Sequence, residues 1–129
     1  MTRMEQVQAL RACADPHYNC CQSVLVPFSR EMGVTEEQAY AMGAHFGSGM
    51  GHGAACGTFT GALMVLGMAG YGKVRAAALL RQFLDRHGST ECRVLLKAAH
   101  DRGEERKAHC DGLVYEMVAA LDEIFQANE

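Results

Sequence analysis

The chain has no tryptophan, two prolines and no Cys-x-x-Cys pair in its 129 residues. Each absence excludes something. Without Cys-x-x-Cys, neither a zinc ribbon nor a thioredoxin-type dithiol is present, and without Cys-x-x-Cys-His there is no covalent haem attachment. No Gly-Lys-Ser/Thr accompanies the glycines, so the chain has no phosphate-binding P-loop. Gly49-Met50-Gly51-His52-Gly53-Ala54 weakly matches a dinucleotide fingerprint, but no strand is predicted before it, and the match is discarded. The longest apolar run, Ala62 to Ala69, includes Gly67 and is too short to insert into a membrane. The start, Met1-Thr2-Arg3-Met4-Glu5-Gln6, is polar, and the expected location is cytoplasmic. A formal charge of −3 and a pI near 6.0 argue against a nucleic-acid partner. No Ser/His/Asp set or carboxylate pair stands out, which leaves open whether the chain is an enzyme.

What remains is helical almost throughout. The expectation is an all-α, single-domain bundle over residues 1–129, of six or seven helices, with a glycine-rich loop before the central helix. A first helix is expected over 4–14, with Val7, Leu10 and Arg11 at helical spacing, ended by Asp15-Pro16. Asn19 caps a second over 20–32 that turns Val24, Leu25, Phe28 and Met32 inward and stops at Gly33. Thr35 and Gln38 make a capping box for a third, to about Met42. The apolar segment 55–69 reads as the central buried helix, although Gly57, Gly61 and Gly67 each weaken it by roughly 1 kcal/mol against alanine. Their use would be close approach of another backbone or a cofactor. Residues 73–87 follow, with Val74, Ala77, Leu80 and Leu84 expected inward. A short helix capped by Ser89 or Thr90 runs to Ala99, an exposed charged loop spans His100 to Lys107, and a last helix spans 110–126 with Leu113, Met117, Leu121 and Phe125 in register.

On this reading four of the six cysteines, Cys20, Cys56, Cys92 and Cys110, sit where a helix begins. A helix N-terminus carries about half a positive charge and unpaired N–H groups, a setting that lowers a thiol pKa and favours thiolate, the form that binds metal. In a reducing compartment this directs the reading to metal binding or reversible thiol chemistry. Four thiolates from distant segments, gathered at one pole of a bundle, would hold a [2Fe–2S] or [4Fe–4S] cluster. The same four would hold structural zinc, or two of them would exchange as a metal-free disulfide. Gly49, Gly51, Gly53 and Gly57 would let the backbone pass close to such a cofactor. Cys13 and Cys21 read as packing residues, while His52 in the loop and His109 beside Cys110 are candidate ligands or donors to a cluster sulfur.

Asn19-Cys20, the Gly47-x-Gly49-x-Gly51 loop, Cys56-Gly57-x-x-Thr60-Gly61-Ala62, Gly88-Ser89-Thr90-x-Cys92 and the late Cys110 together resemble the redox-active C_GCAxxG_C_C family. The likeness runs from about residue 7 to 126, and departs at Thr58, where the family motif has alanine. It implies a small helical protein whose four shared cysteines map to Cys20, Cys56, Cys92 and Cys110. A related domain occurs in split-Soret cytochrome c, a dimeric protein with haem and an iron–sulfur cluster. This chain lacks the haem motif, so only the cluster would carry over. The leading expectation is therefore electron transfer or redox sensing through an iron–sulfur cluster, with an unidentified redox partner and a homodimer left open.

Overall fold

Side-chain caps fix where several helices begin. Thr2, Asn19 and Thr35 each accept a hydrogen bond from the N–H three residues on, and the side-chain oxygens of Glu5, Gln22 and Gln38 there accept one from the cap N–H. In the computed structural model, which describes residues 1–127, these boxes open α1 (Arg3–Ala12), α2 (Cys20–Leu25) and a later helix. The segment expected as one helix over 20–32 is broken at Pro27, which has no N–H to continue the ladder. It becomes α2, a 3-10 turn Val26–Phe28, and a short α3 (Ser29–Met32) ended by left-handed Gly33, φ 74°. α4 (Glu36–Gly43) starts from Thr35. α5 (Gly57–Met68), α6 (Lys73–His87), α7 (Cys92–Asp101) and α8 (Arg106–Ala127) complete eight helices, with no strand among the described residues.

α2 and α5 share the most extensive contact between elements, and α8 packs across both. Their inward residues form one core in which Leu25, Phe28, Leu66, Phe83, Met117 and Leu121 are fully buried. Each such side chain contributes roughly 1.5–3 kcal/mol by leaving water. Arg3 ties the helices together at one end. It bonds Glu31 at 2.9 Å and Asp122 at 2.7 Å, and lies over the Phe28 ring.

Three expectations need correction. α6 turns Leu79 and Phe83 inward, while Val74, Leu80 and Leu84 are exposed; Phe83, packed on Phe59 at 5.0 Å, outcompetes the other stripe. α5 is buried on one side only, since Leu63 and Met68 reach solvent. α8 begins at Arg106 rather than 110 and α7 runs to Asp101, so the exposed loop expected over His100 to Lys107 is confined to residues 102–105.

No described helix is long and apolar enough to cross a membrane.

Candidate cysteine site

Cys56 and Cys92 are joined through the backbone. The segments before α5 and α7 meet in an isolated antiparallel bridge between Ala55 and Glu91. The Cys56 N–H donates to the Thr90 carbonyl at 2.8 Å, and the Cys92 N–H to the Ala54 carbonyl at 2.6 Å. Glu91, not Ser89 or Thr90, occupies the cap position of α7; the Ser89 hydroxyl accepts from the Glu91 N–H instead. The glycine loop, Gly49–Gly53, lies against this bridge, with Ser48 and Met50 in the left-handed region at φ 52° and 61°.

Cys20 is the first residue of α2, set there by the Asn19 cap. Asn19 also donates through Nδ2 to the Gly43 carbonyl at 3.0 Å, fastening the start of α2 to the end of α4. Cys110 is the fifth residue of α8, beyond the first turn where helix-end charge acts. Arg11 links α1, Tyr18 before α2, and α8: its Nε donates to Asp111 Oδ1 at 2.7 Å and its Nη1 to the Tyr18 carbonyl at 3.0 Å.

All four thiols, Cys20, Cys56, Cys92 and Cys110, line one cavity of about 430 Å³. Leu95, Leu96 and Leu113 give it an apolar wall, and Arg11, Arg106, Lys107 and Glu105 contribute charge. A charge on Cys20 would raise the pKa of Cys56, Cys92 and Cys110 alike. None of the four is in a disulfide. Among the described residues, no three His, Cys, Asp or Glu side chains stand close enough to hold a single metal ion.

For Cys56, Cys92 and Cys110 the expectation of acidic thiols is overturned. Burial pushes Cys56 up to about 11, and the Cys20 charge adds to this. The Phe59 and Thr58 N–H groups and the Thr58 hydroxyl pull the other way without prevailing, and the sulfur makes no regular capping bond. Burial, then Cys20, also raises Cys92, opposed by Arg106. Burial and Cys20 raise Cys110, opposed by Arg11 and Arg106. Desolvation in an apolar wall exceeds the partial charge of a helix end.

The glycines divide by environment. Gly57 lines the cavity, where an added Cβ would overlap the Phe46 carbonyl oxygen and come 2.6 Å from the Cys20 sulfur. At Gly49, φ +60°, a Cβ would meet the Cys92 Cβ at 2.7 Å. Gly53 packs on the Arg93 side chain and Gly51 faces open space; neither they nor Gly49 line the cavity. His52 is exposed on the loop and also stays outside it. Cys21 is fully buried in the core, and burial pushes its thiol up to about 12. Cys13, just past α1, is outside the cavity lining.

His109 does line the cavity. It is buried, its Nε2 has no hydrogen-bond partner, and burial lowers its pKa, with the nearby Glu104 opposing. The basic residues Arg11 and Arg106 did not stand out in the sequence as parts of this site. Arg11 shares a helical stripe with Val7 and Leu10, and Arg106 lies in a charged run. Neither pattern distinguishes a charge facing the thiols from one facing solvent.

Residues 18–124 match the model of a family described as "Putative redox-active protein (C_GCAxxG_C_C)". No curated protein and no solved structure matches the chain.

Proposed function

The chain belongs to the C_GCAxxG_C_C family of redox-active proteins, and from that premise we propose that Cys20, Cys56, Cys92 and Cys110 hold an iron–sulfur cluster used in electron transfer or redox sensing. The observation that carries this reading is the placement of the thiol set. Four cysteines from separate segments line one cavity of about 430 Å³, which has room for a multi-iron group.

The donor chemistry agrees. Four thiolates and a cluster carry net negative charge, and Arg11 and Arg106 already favour thiolate at Cys110. The N–H groups of Phe59 and Thr58 do the same at Cys56. Leu95, Leu96 and Leu113 make one wall beside the sulfurs apolar, which strengthens these interactions. Gly57 leaves room beside Cys20 that any side chain would fill. When bound, the cluster would supply one-electron chemistry; the chain's residues would hold it and offset its charge. Raised pKa values at Cys56, Cys92 and Cys110 disfavour these three as attacking thiols near neutral pH, because thiolate is the attacking form.

The test is iron and acid-labile sulfide analysis, with a visible spectrum, on protein purified without oxygen. Iron, sulfide and absorption that bleaches with dithionite are the expected result. Replacing any one of the four by serine should weaken the cluster, while Cys13→Ser and Cys21→Ser should leave it in place. Protein without iron even after anaerobic reconstitution refutes the proposal. Stoichiometric zinc would make the site structural, and a thiol count that rises on mild reduction would make it a disulfide.

A further inference from the structure

The large apolar side chains that reach solvent are concentrated on one helical hairpin. α5 and α6 are joined through residues 69–72, and Phe59 of α5 packs on Phe83 of α6 at 5.0 Å. One turn further along this seam lie Leu63, four residues after Phe59, and Leu80, three before Phe83. Both are more than a third exposed, as is Leu84; Met68 is half exposed and Val74 is 88% exposed. Gly67 shares the α5 face with Leu63, and nothing lies within 4 Å of a Cβ added there. A helix that is apolar nearly all round, as α5 is, belongs in an interior, yet this face is open to solvent.

The charges on the hairpin indicate what covers it. Arg81 and Asp85 are exposed one turn apart on α6, along a shallow hollow they share with Val74, Ala77 and Ala78. Neither forms an ion pair among the described residues. Base before acid is also the less favourable order for such a pair within one helix. A second copy resolves this. Where two α6 helices run antiparallel about a two-fold axis near residue 83, Arg81 of each copy faces Asp85 of the other, and one stripe supplies both halves of two ion pairs. One α6 face, about 22 Å long and 10 Å wide, falls short of the roughly 800 Å² that each partner gives to a stable interface. The α5 face with Leu63, Gly67 and Met68 is therefore needed as well.

We propose that the α5–α6 hairpin is a self-association surface, on which two copies of the chain pack hairpin against hairpin as a four-helix bundle. Leu63, Leu80 and Leu84 fill its centre, and reciprocal Arg81–Asp85 pairs fix its register. Gly67 lets the opposing backbone approach closely. The inference does not rest on what the thiols bind, since none of these residues lines their cavity.

Sedimentation equilibrium on the full chain, purified without oxygen, tests it. The wild-type protein should sediment at twice 14.0 kDa. Arg81→Glu and Asp85→Arg each set like charges against one another and should raise the dissociation constant roughly tenfold or more. The two substitutions combined should restore association, which a general change in surface charge would not do. Gly67→Gln should separate the copies while circular dichroism shows the fold intact, because glutamine is the better helix former. A wild-type protein that stays monomeric at every concentration overturns the proposal. A dimer indifferent to Arg81→Glu and Gly67→Gln forms through another surface and overturns it too. Loss in both single charge variants without recovery in the double one overturns the two-fold pairing.

Discussion

Gly57→Ala places a methyl group where the structure has no room. The new Cβ would overlap the Phe46 carbonyl oxygen and approach the Cys20 sulfur to 2.6 Å. The sulfur ends a short side chain and can rotate aside. The carbonyl is backbone, so relieving the overlap means shifting the segment that leads into the glycine loop. Overpacking of this kind costs about 1–3 kcal/mol, and alanine returns at most about 1 kcal/mol of helix propensity. The net loss should be about 1–2 kcal/mol, or a fall of roughly 3–8 °C in the melting midpoint for a domain of this size. Gly112→Ala is the matched control. Gly112 lies inside α8 with nothing within 4 Å of an added Cβ, and its φ is not in the left-handed region. That substitution should stabilise by about 0.5–1 kcal/mol. Urea and thermal melts of the metal-free protein, followed by circular dichroism, measure both. If Gly57→Ala matches or exceeds the stability of Gly112→Ala, the contact between the start of α5 and Cys20 is not as close as described.

Other perturbations have equally definite signs. Asn19→Ala removes a capping box and the bond to Gly43, and should cost about 1–2 kcal/mol in a chemical denaturation series. Cys56 titrates at about 11 when folded and at about 8.5 when unfolded. Its contribution is therefore fully present below the unfolded value and is lost as pH rises through the folded one. Metal-free protein should lose stability between about pH 8.5 and 11, and Cys56→Ala should flatten that slope in melts taken across the range. Arg11 and Lys107 hold the Asp111 carboxyl below its ordinary value, burial notwithstanding. That stability is present above the unfolded carboxylate pKa and lost as pH falls through the lower folded one. Arg11→Met should both weaken the fold and reduce its acid sensitivity, read by unfolding at pH 7 and pH 3.

Much of the helix order could be read from short local signals. Thr35 with Gln38, Asn19 before α2, and Gly33 and Gly88 in left-handed positions act within one turn, so the sequence displays them directly. The facing of α6 was not legible. Val74, Ala77, Leu80 and Leu84 form one apolar stripe and Leu79 with Phe83 another, and only contact with Phe59 selects the second. Pro27 inside an otherwise continuous pattern hid a break. At the site, Gly57 and Gly61 could be read as close approaches, to Cys20 and to Cys21 with Val24, but Gly67 faces open space. The protonation of the thiols was misjudged because spacing reports a helix start and not the apolar wall, formed by Leu95, Leu96 and Leu113, that surrounds it. The unpartnered nitrogen of His109 depends on three-dimensional enclosure, which no local pattern encodes.

The bridge between the segments before α5 and α7 is made by the cysteines' own amide groups, through Cys56 N–H to Thr90 and Cys92 N–H to Ala54. Main-chain bonds are indifferent to what hangs from Cβ. Serine or alanine at either position therefore deletes a sulfur while the strap between the two segments stays fastened. At these two positions, mutagenesis separates chemistry from architecture: an activity or bound group lost with the sulfur would report on the thiol, not on a collapsed scaffold.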